Sequence, residues 1–60
     1  MSNGYRFYVI GPENRIMGNE LGMFANDAEA MQRGQELLTG TSGAVAVETW
    51  ERARLVHRAE

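Results

Sequence analysis

The sequence predicts an α+β fold with the element order ββαββ, in which one helix packs on one face of a four-stranded antiparallel sheet. Only the segment 26–38 has a clear helical period of apolar residues. Four other segments are rich in β-branched or aromatic residues or alternate between apolar and polar ones, and turn-forming residues separate them. We expect the strand order 2-1-3-4, because it makes every neighbouring pair antiparallel.

The first two strands form a predicted hairpin. We expect the first strand at about 5–10 and a reversal at 11–14, where a proline sets φ and Asn14 tolerates a left-handed conformation. Side chains of the first strand alternate between two faces, with Tyr5, Phe7 and Val9 on one and Arg6, Tyr8 and Ile10 on the other. The second strand, at about 15–21, is interrupted by Gly18 and Asn19 and therefore fits an edge strand with a bulge.

The helix is expected at about 27–38. Asn26 precedes Glu29 by three residues, which is the spacing of a capping box, and Glu29 and Arg33 are spaced to form an ion pair along the helix. Gly34 lies in the apolar stripe although glycine costs about 1 kcal/mol in a helix relative to alanine. We therefore predict that the helix approaches the sheet closely at Gly34.

The last two strands are expected at about 44–50 and 54–58, joined by a short reversal. One helix covers only one face of the sheet, so the other face should carry apolar side chains. Depending on register, the candidates for that face are Tyr8, Ile10, Met17, Ala46, Trp50 and Val56. Trp50 fits two interpretations, since it can lie on the uncovered face or close the end of the core under Phe24.

Composition excludes several classes of protein. Sixty residues make one small domain at most, spanning 1–60, and the absence of cysteine excludes disulfides and cysteine-based metal sites. The apolar runs are too short to span a bilayer and the N-terminus lacks the layout of a signal peptide, so we expect a cytoplasmic protein with no membrane partner. A net charge of −2 gives no general attraction to nucleic acid.

The sequence does not predict an enzyme. The one histidine, His57, precedes Arg58 near the C-terminus, and we interpret it as a solvated strand residue. The eight acidic residues are spread singly, without spacings typical of a metal site or an acid/base pair. The glycines at 40–43 lack the lysine and following helix of a phosphate loop. We therefore expect no catalytic residue, no metal and no cofactor.

Three groups of residues resemble a family. They are the aromatic first strand Tyr5-x-Phe7-x-Val9, the helix opening Asp27-Ala28-Glu29-Ala30, and Val47-Glu48-x-Trp50 followed by Arg54-Leu55-Val56. Together they resemble very short, stand-alone proteobacterial proteins of unknown function. That family often has glycine in the last hairpin where this chain has Arg52. The resemblance implies a fold type and a bacterial cytoplasmic setting, and no activity.

The sequence is best interpreted as a non-catalytic protein-interaction module that associates with itself, as a homodimer, or with another protein through the uncovered sheet face. The expected anchors are Tyr8, Trp50, Arg52, Arg54 and Arg58, because Tyr, Trp and Arg most often dominate interface energetics. The alternative is a weak nucleic-acid binder that uses the arginine-rich last strand. Residues 52–60 carry three arginines against one acid, whereas residues 1–51 carry three arginines against seven acids.

Overall fold

The computed structural model describes residues 2–60 and has the predicted architecture. The elements are β1 (Asn3–Ile10), a 3-10 turn (Pro12–Asn14), β2 (Ile16–Phe24), α1 (Asp27–Gly40), β3 (Ala46–Glu51) and β4 (Arg54–Ala59). The strands form one sheet in the order β2-β1-β3-β4, and each neighbouring pair is antiparallel. The predicted fold class and strand order are therefore confirmed.

Element boundaries differ from the prediction mainly in the first hairpin. β2 continues to Phe24 instead of ending at Leu21, because its ladder with β1 runs on until Phe24 faces Asn3. Residues 22–24, which the prediction left outside the second strand, are therefore part of the sheet. β3 begins at Ala46 and not at 44.

The outer strand of the first hairpin contains an irregularity. Val9 faces Gly18 and Ile10 faces Ile16, so Met17 is the extra residue of a bulge. A bulge shifts the alternation of side chains by one position. Met17, a candidate for the uncovered face, lies instead beside Leu37 on the helix side of the sheet.

The core lies between α1 and the helix-facing side of the sheet. Tyr5, Phe7 and Val9 are buried there, as the alternation of the first strand predicts, and Val47 and Ala30 complete the cluster. Phe24 packs edge-on against both Tyr5 and Phe7, with ring centroids 6.1 and 5.7 Å apart. Val56, another candidate for the uncovered face, packs against this core as well.

Gly34 marks the closest approach of the helix to the sheet. A Cβ atom at this position would lie 2.7 Å from Thr49 Oγ1, 3.7 Å from Val47 Cγ1 and 3.8 Å from Phe7 Cδ2. The predicted close approach is confirmed. Thr49 Oγ1 is buried by the same contact and has no hydrogen-bond partner within residues 2–60.

The helix is held laterally by an ion pair with the edge strand. Arg33 Nε and Nη2 donate to the two carboxylate oxygens of Glu20 at 2.7 and 2.8 Å, and this hydrogen bonding lowers the pKa of Glu20. Arg33 also contacts Glu36, and the predicted pair with Glu29 is absent from residues 2–60. Glu29 instead belongs to the helix cap, where its amide donates to Asn26 Oδ1 at 2.9 Å.

The start of the helix is fixed to both halves of the sheet through Asp27. Tyr5 Oη donates to Asp27 Oδ1 at 2.8 Å, and Arg54 donates to both carboxylate oxygens of Asp27 at 3.1 Å. The hydrogen bonds from Arg54 and Tyr5 lower the pKa of Asp27. Burial, reinforced by the bond to Asp27, raises the pKa of Tyr5.

Replacing Gly34 by alanine is expected to destabilise the fold by about 1 to 2 kcal/mol. The added methyl group overlaps Thr49 Oγ1, and overpacking of this kind outweighs the gain of about 1 kcal/mol in helix propensity. The control is Gly40→Ala, because a Cβ at Gly40 has nothing within 4 Å and should be neutral or stabilising. Urea unfolding measures both variants, and equal stability of the two would contradict the close approach.

Stability is expected to fall in acid partly through Asp27. Its folded-state pKa is lowered, so its contribution is complete above the unfolded pKa of about 4 and is lost as pH falls through the folded value. Asp27→Asn should therefore lower Tm at pH 6, and the gap from the natural chain should narrow at pH 3. Glu13→Gln, at a residue without an ion pair within residues 2–60, should leave the dependence unchanged. A gap that stays constant with pH would contradict the role of Asp27.

Candidate functional site

The face of the sheet opposite α1 is not covered by any other element within residues 2–60. We call it the open face. Strand alternation and the pairing register assign to it the following side chains: Ile16, Asn19, Leu21 and Met23 of β2, Arg6, Tyr8 and Ile10 of β1, Ala46, Glu48 and Trp50 of β3, and Leu55 and Arg58 of β4.

These side chains form rows across the sheet, because residues that face each other on neighbouring strands lie side by side. The rows are Leu21–Arg6–Trp50–Leu55, Asn19–Tyr8–Glu48–Arg58 and Ile16–Ile10–Ala46. The first row has one charged group, Arg6, among three apolar ones, the second is polar and the third is apolar. Arg6 and Glu48 thus stand in neighbouring rows on neighbouring strands.

The open face contains a shallow concavity of about 580 Å³. Its apolar lining comes from Tyr8, Ile10, Ile16, Leu21 and Trp50. Ile16 and Leu21 are 63% and 66% exposed, which is unusual for large aliphatic residues on a sheet. A clustered apolar surface of this kind is suited to packing against another protein surface.

Trp50 is held in place by a polar network on the open face. Its Nε1–H donates to Glu48 Oε1 at 3.1 Å, and Arg58 Nη1 donates to Glu48 Oε2 at 2.6 Å. Arg58 Nε also donates to Glu60 at 3.0 Å, and the carboxylates of Glu60 and Glu48 raise the pKa of Arg58. Trp50 faces Arg6, on the side of the sheet away from Phe24, so the interpretation that it closes the core under Phe24 is wrong.

The predicted anchors do not all lie together. Tyr8, Trp50 and Arg58 are on the open face, and Arg52, in the β3–β4 loop, lines the same concavity as Tyr8 and Trp50. Arg54 binds Asp27 and therefore lies on the helix side. The arginines of the last strand consequently do not form one continuous ladder.

Two residues that line the concavity, Ile16 and Leu21, were not predicted. Both lie on β2, whose register depends on the bulge at Met17. The sequence carries a weak signal for them, since both are large aliphatic residues in an interrupted edge strand. Without the position of the bulge, however, their face is undetermined.

The arginines of the chain fall into two groups. Arg33, Arg54 and Arg58 form ion pairs, whereas Arg6, Arg15 and Arg52 form none within residues 2–60. Arg6 and Arg52 both line the concavity that contains Trp50. The open face therefore offers two free guanidinium groups beside an aromatic surface, an arrangement that favours a partner bearing carboxylates or phosphates.

Comparison of the chain with protein-family models, with curated proteins and with solved structures gave no match. The family suggested by the sequence motifs therefore stays a prediction. Residues 2–60 contain no helix long and apolar enough to cross a membrane. In the same part of the chain, no cluster of three or more acidic or histidine side chains could hold a metal ion.

Arg52 adopts a left-handed backbone conformation with φ of 56° at the first residue of the two-residue β3–β4 loop. Because this conformation is unfavourable for residues with a Cβ, Arg52→Gly should stabilise the fold by about 0.5 to 1 kcal/mol. Ala53→Gly, at the second loop position without a positive φ, is the control and should not stabilise. Thermal unfolding distinguishes the two, and a loss of stability in Arg52→Gly would contradict the backbone argument.

Proposed function

We propose that this protein is a non-catalytic interaction module that associates with itself through the open face. The observation that carries the proposal is an apolar cluster on a sheet face that α1 does not cover, in which Ile16 and Leu21 are exposed and Tyr8 and Trp50 are half-buried. Burying such a cluster releases water from apolar surface, which is the main driving force of association. Tyr8 and Trp50 supply aromatic anchors of the type that dominates interface energetics.

The dimensions of the molecule fit this proposal. The two longer extents are 35 and 21 Å, which give the sheet side an area on the order of 700 Å², close to the 800 Å² per partner of a standard interface. This area is the upper limit of what a second copy can bury on the open face, and it approaches the standard size. A second copy would also give a 60-residue chain a second core, which benefits a domain of this size.

The proposed setting is the cytoplasm, and the proposed role involves no chemical turnover. The absence of cysteine is consistent with a reducing compartment, where small domains gain no stability from disulfides. A domain of this size without disulfides or metal commonly gains stability by oligomerisation. The cellular setting and the self-association are thus consistent with each other.

Leu21→Lys is expected to weaken self-association by at least about 100-fold without unfolding the chain. Leu21 is 66% exposed, so its loss costs little core packing, whereas a lysine beside Arg6 adds a like charge to the interface. Val45→Lys is the matched control, because Val45 is 50% exposed and does not line the concavity. Light scattering at two protein concentrations measures the mass. A monomeric natural chain, or equal effects of both variants, would contradict the proposal.

Nucleic-acid binding is the second candidate, and the free guanidinium groups of Arg6 and Arg52 beside Trp50 favour it. Against it stand the ion pairs that engage Arg54 and Arg58, and the net charge of −2. The two candidates respond differently to salt. Binding through phosphate contacts weakens steeply as salt rises, whereas association through apolar contacts changes little.

A further inference from the structure

Arg6 occupies an unusual position for an unpaired charge. It lies on the inner strand β1, between Leu21 of β2 and Trp50 of β3, and it is exposed on the open face. No carboxylate within residues 2–60 forms an ion pair with it. A partner that covers Leu21 and Trp50 must also cover Arg6, because Arg6 lies between them.

Covering a guanidinium group without a counter-charge is strongly unfavourable, since a charge removed from water must be paired or hydrogen-bonded. Arg52, in the β3–β4 loop at the end of the sheet, can stay solvated at the rim of an interface, but Arg6 is close to the centre of the face. The partner must therefore bring a carboxylate to a position near the middle of its own contact surface.

A second copy of this chain carries such a carboxylate. Glu48 lies on the other inner strand, β3, one row away from Arg6. Its two oxygens each accept one hydrogen bond, from Trp50 and from Arg58, and a carboxylate oxygen can accept a second. Glu48 thus retains capacity for a guanidinium group that approaches from outside the sheet.

We propose, resting on the proposed self-association, that the occupant of the open face is a second copy in which Arg6 of each protomer binds the partner's Glu48. Residues Arg6 and Glu48 lie diagonally across the β1–β3 ladder. Consider a two-fold axis that lies midway between the two sheets and parallel to them, and that crosses this diagonal at its centre and at a right angle. Such an axis exchanges the two positions, so both ion pairs form at once. This is the reciprocity of a symmetric, isologous dimer.

The same axis accounts for the apolar residues of the face. Tyr8 and Trp50 occupy the other diagonal of the same four-residue square, so each is brought close to its own symmetry mate near the axis. Because the axis is oblique to the strands, the strands of the two sheets cross at a steep angle, as in orthogonal sheet packing. The two ion pairs therefore flank a central aromatic contact, which excludes water from them.

The test exchanges charges between two variants. Arg6→Glu alone and Glu48→Arg alone each place like charges opposite one another, and each should weaken dimerisation by at least about 100-fold. Mixed in equal amounts, they form a heterodimer in which both pairs carry opposite charges, so the dimer mass should return. Arg15→Glu is the matched control, since Arg15 is exposed, forms no ion pair within residues 2–60 and does not line the concavity.

Sedimentation velocity of the natural chain, the three variants and the mixture gives outcomes that separate the two proposals. A monomeric natural chain overturns the self-association itself. If the natural chain is dimeric, two results overturn the Arg6–Glu48 pairing and leave self-association standing. Either the single charge variants are also dimeric, or they are monomeric and remain so after mixing. Circular dichroism checks that each variant is folded.

If Glu48→Arg does not fold, neutral variants provide the same test. Arg6→Gln and Glu48→Gln should each raise the dimer dissociation constant by about 10-fold. The double variant should raise it by at most about a further 3-fold. This non-additivity is the signature of a direct pair. Fully additive losses would overturn the pairing.

Discussion

The close approach of α1 to the sheet at Gly34 is the constraint on which the rest of the structure depends. With no side chain at Gly34, the helix lies directly over Thr49 and Val47, and Tyr5 and Phe7 are buried in the same layer. The chain has one helix to place within residues 2–60, and the helix lies on one side of the sheet. On the opposite side Ile10 and Ala46 are buried, whereas Ile16 and Leu21 remain exposed.

The two sides of the sheet differ in how they use charge. On the helix side, Arg33 and Arg54 bind carboxylates across elements and tie the helix to both edge strands. Two of the three arginines in residues 52–60 are likewise engaged in ion pairs. Arg54 binds Asp27 on the helix side, and Arg58 is paired with Glu48 and Glu60. What remains on the open face is an aromatic group, Trp50, beside the guanidinium groups of Arg6 and Arg52, which form no ion pair within residues 2–60.

Much of the fold was predictable from sequence because its signals are local. The apolar stripe of the helix, the cap at Asn26 and the glycine in the helix interior can each be recognised from a few neighbouring residues. The face assignment of the first strand followed from alternation alone. Even the strand order could be expected, since antiparallel neighbours leave few arrangements for ββαββ.

The open face was less predictable because it depends on register. The bulge at Met17 decides that Ile16 and Leu21 point away from the helix, and no residue type in β2 specifies its position uniquely. The sequence also predicted the wrong ion-pair partner for Arg33. Arg33 lies beside the edge strand, and its side chain binds Glu20 there instead of its helical neighbour Glu29. Contacts between elements therefore carry the information that local patterns lack.

The pairing of β1 with β3 has a kinetic consequence. The outer pairs of the sheet are hairpins that close over a few residues, whereas β1 and β3 are separated along the chain by β2 and the entire helix. Closing that long segment costs chain entropy before the central contacts form. The contacts within each hairpin are local, so we expect the long-range pairing of β1 with β3, the strands that also carry Arg6 and Glu48, to limit the folding rate.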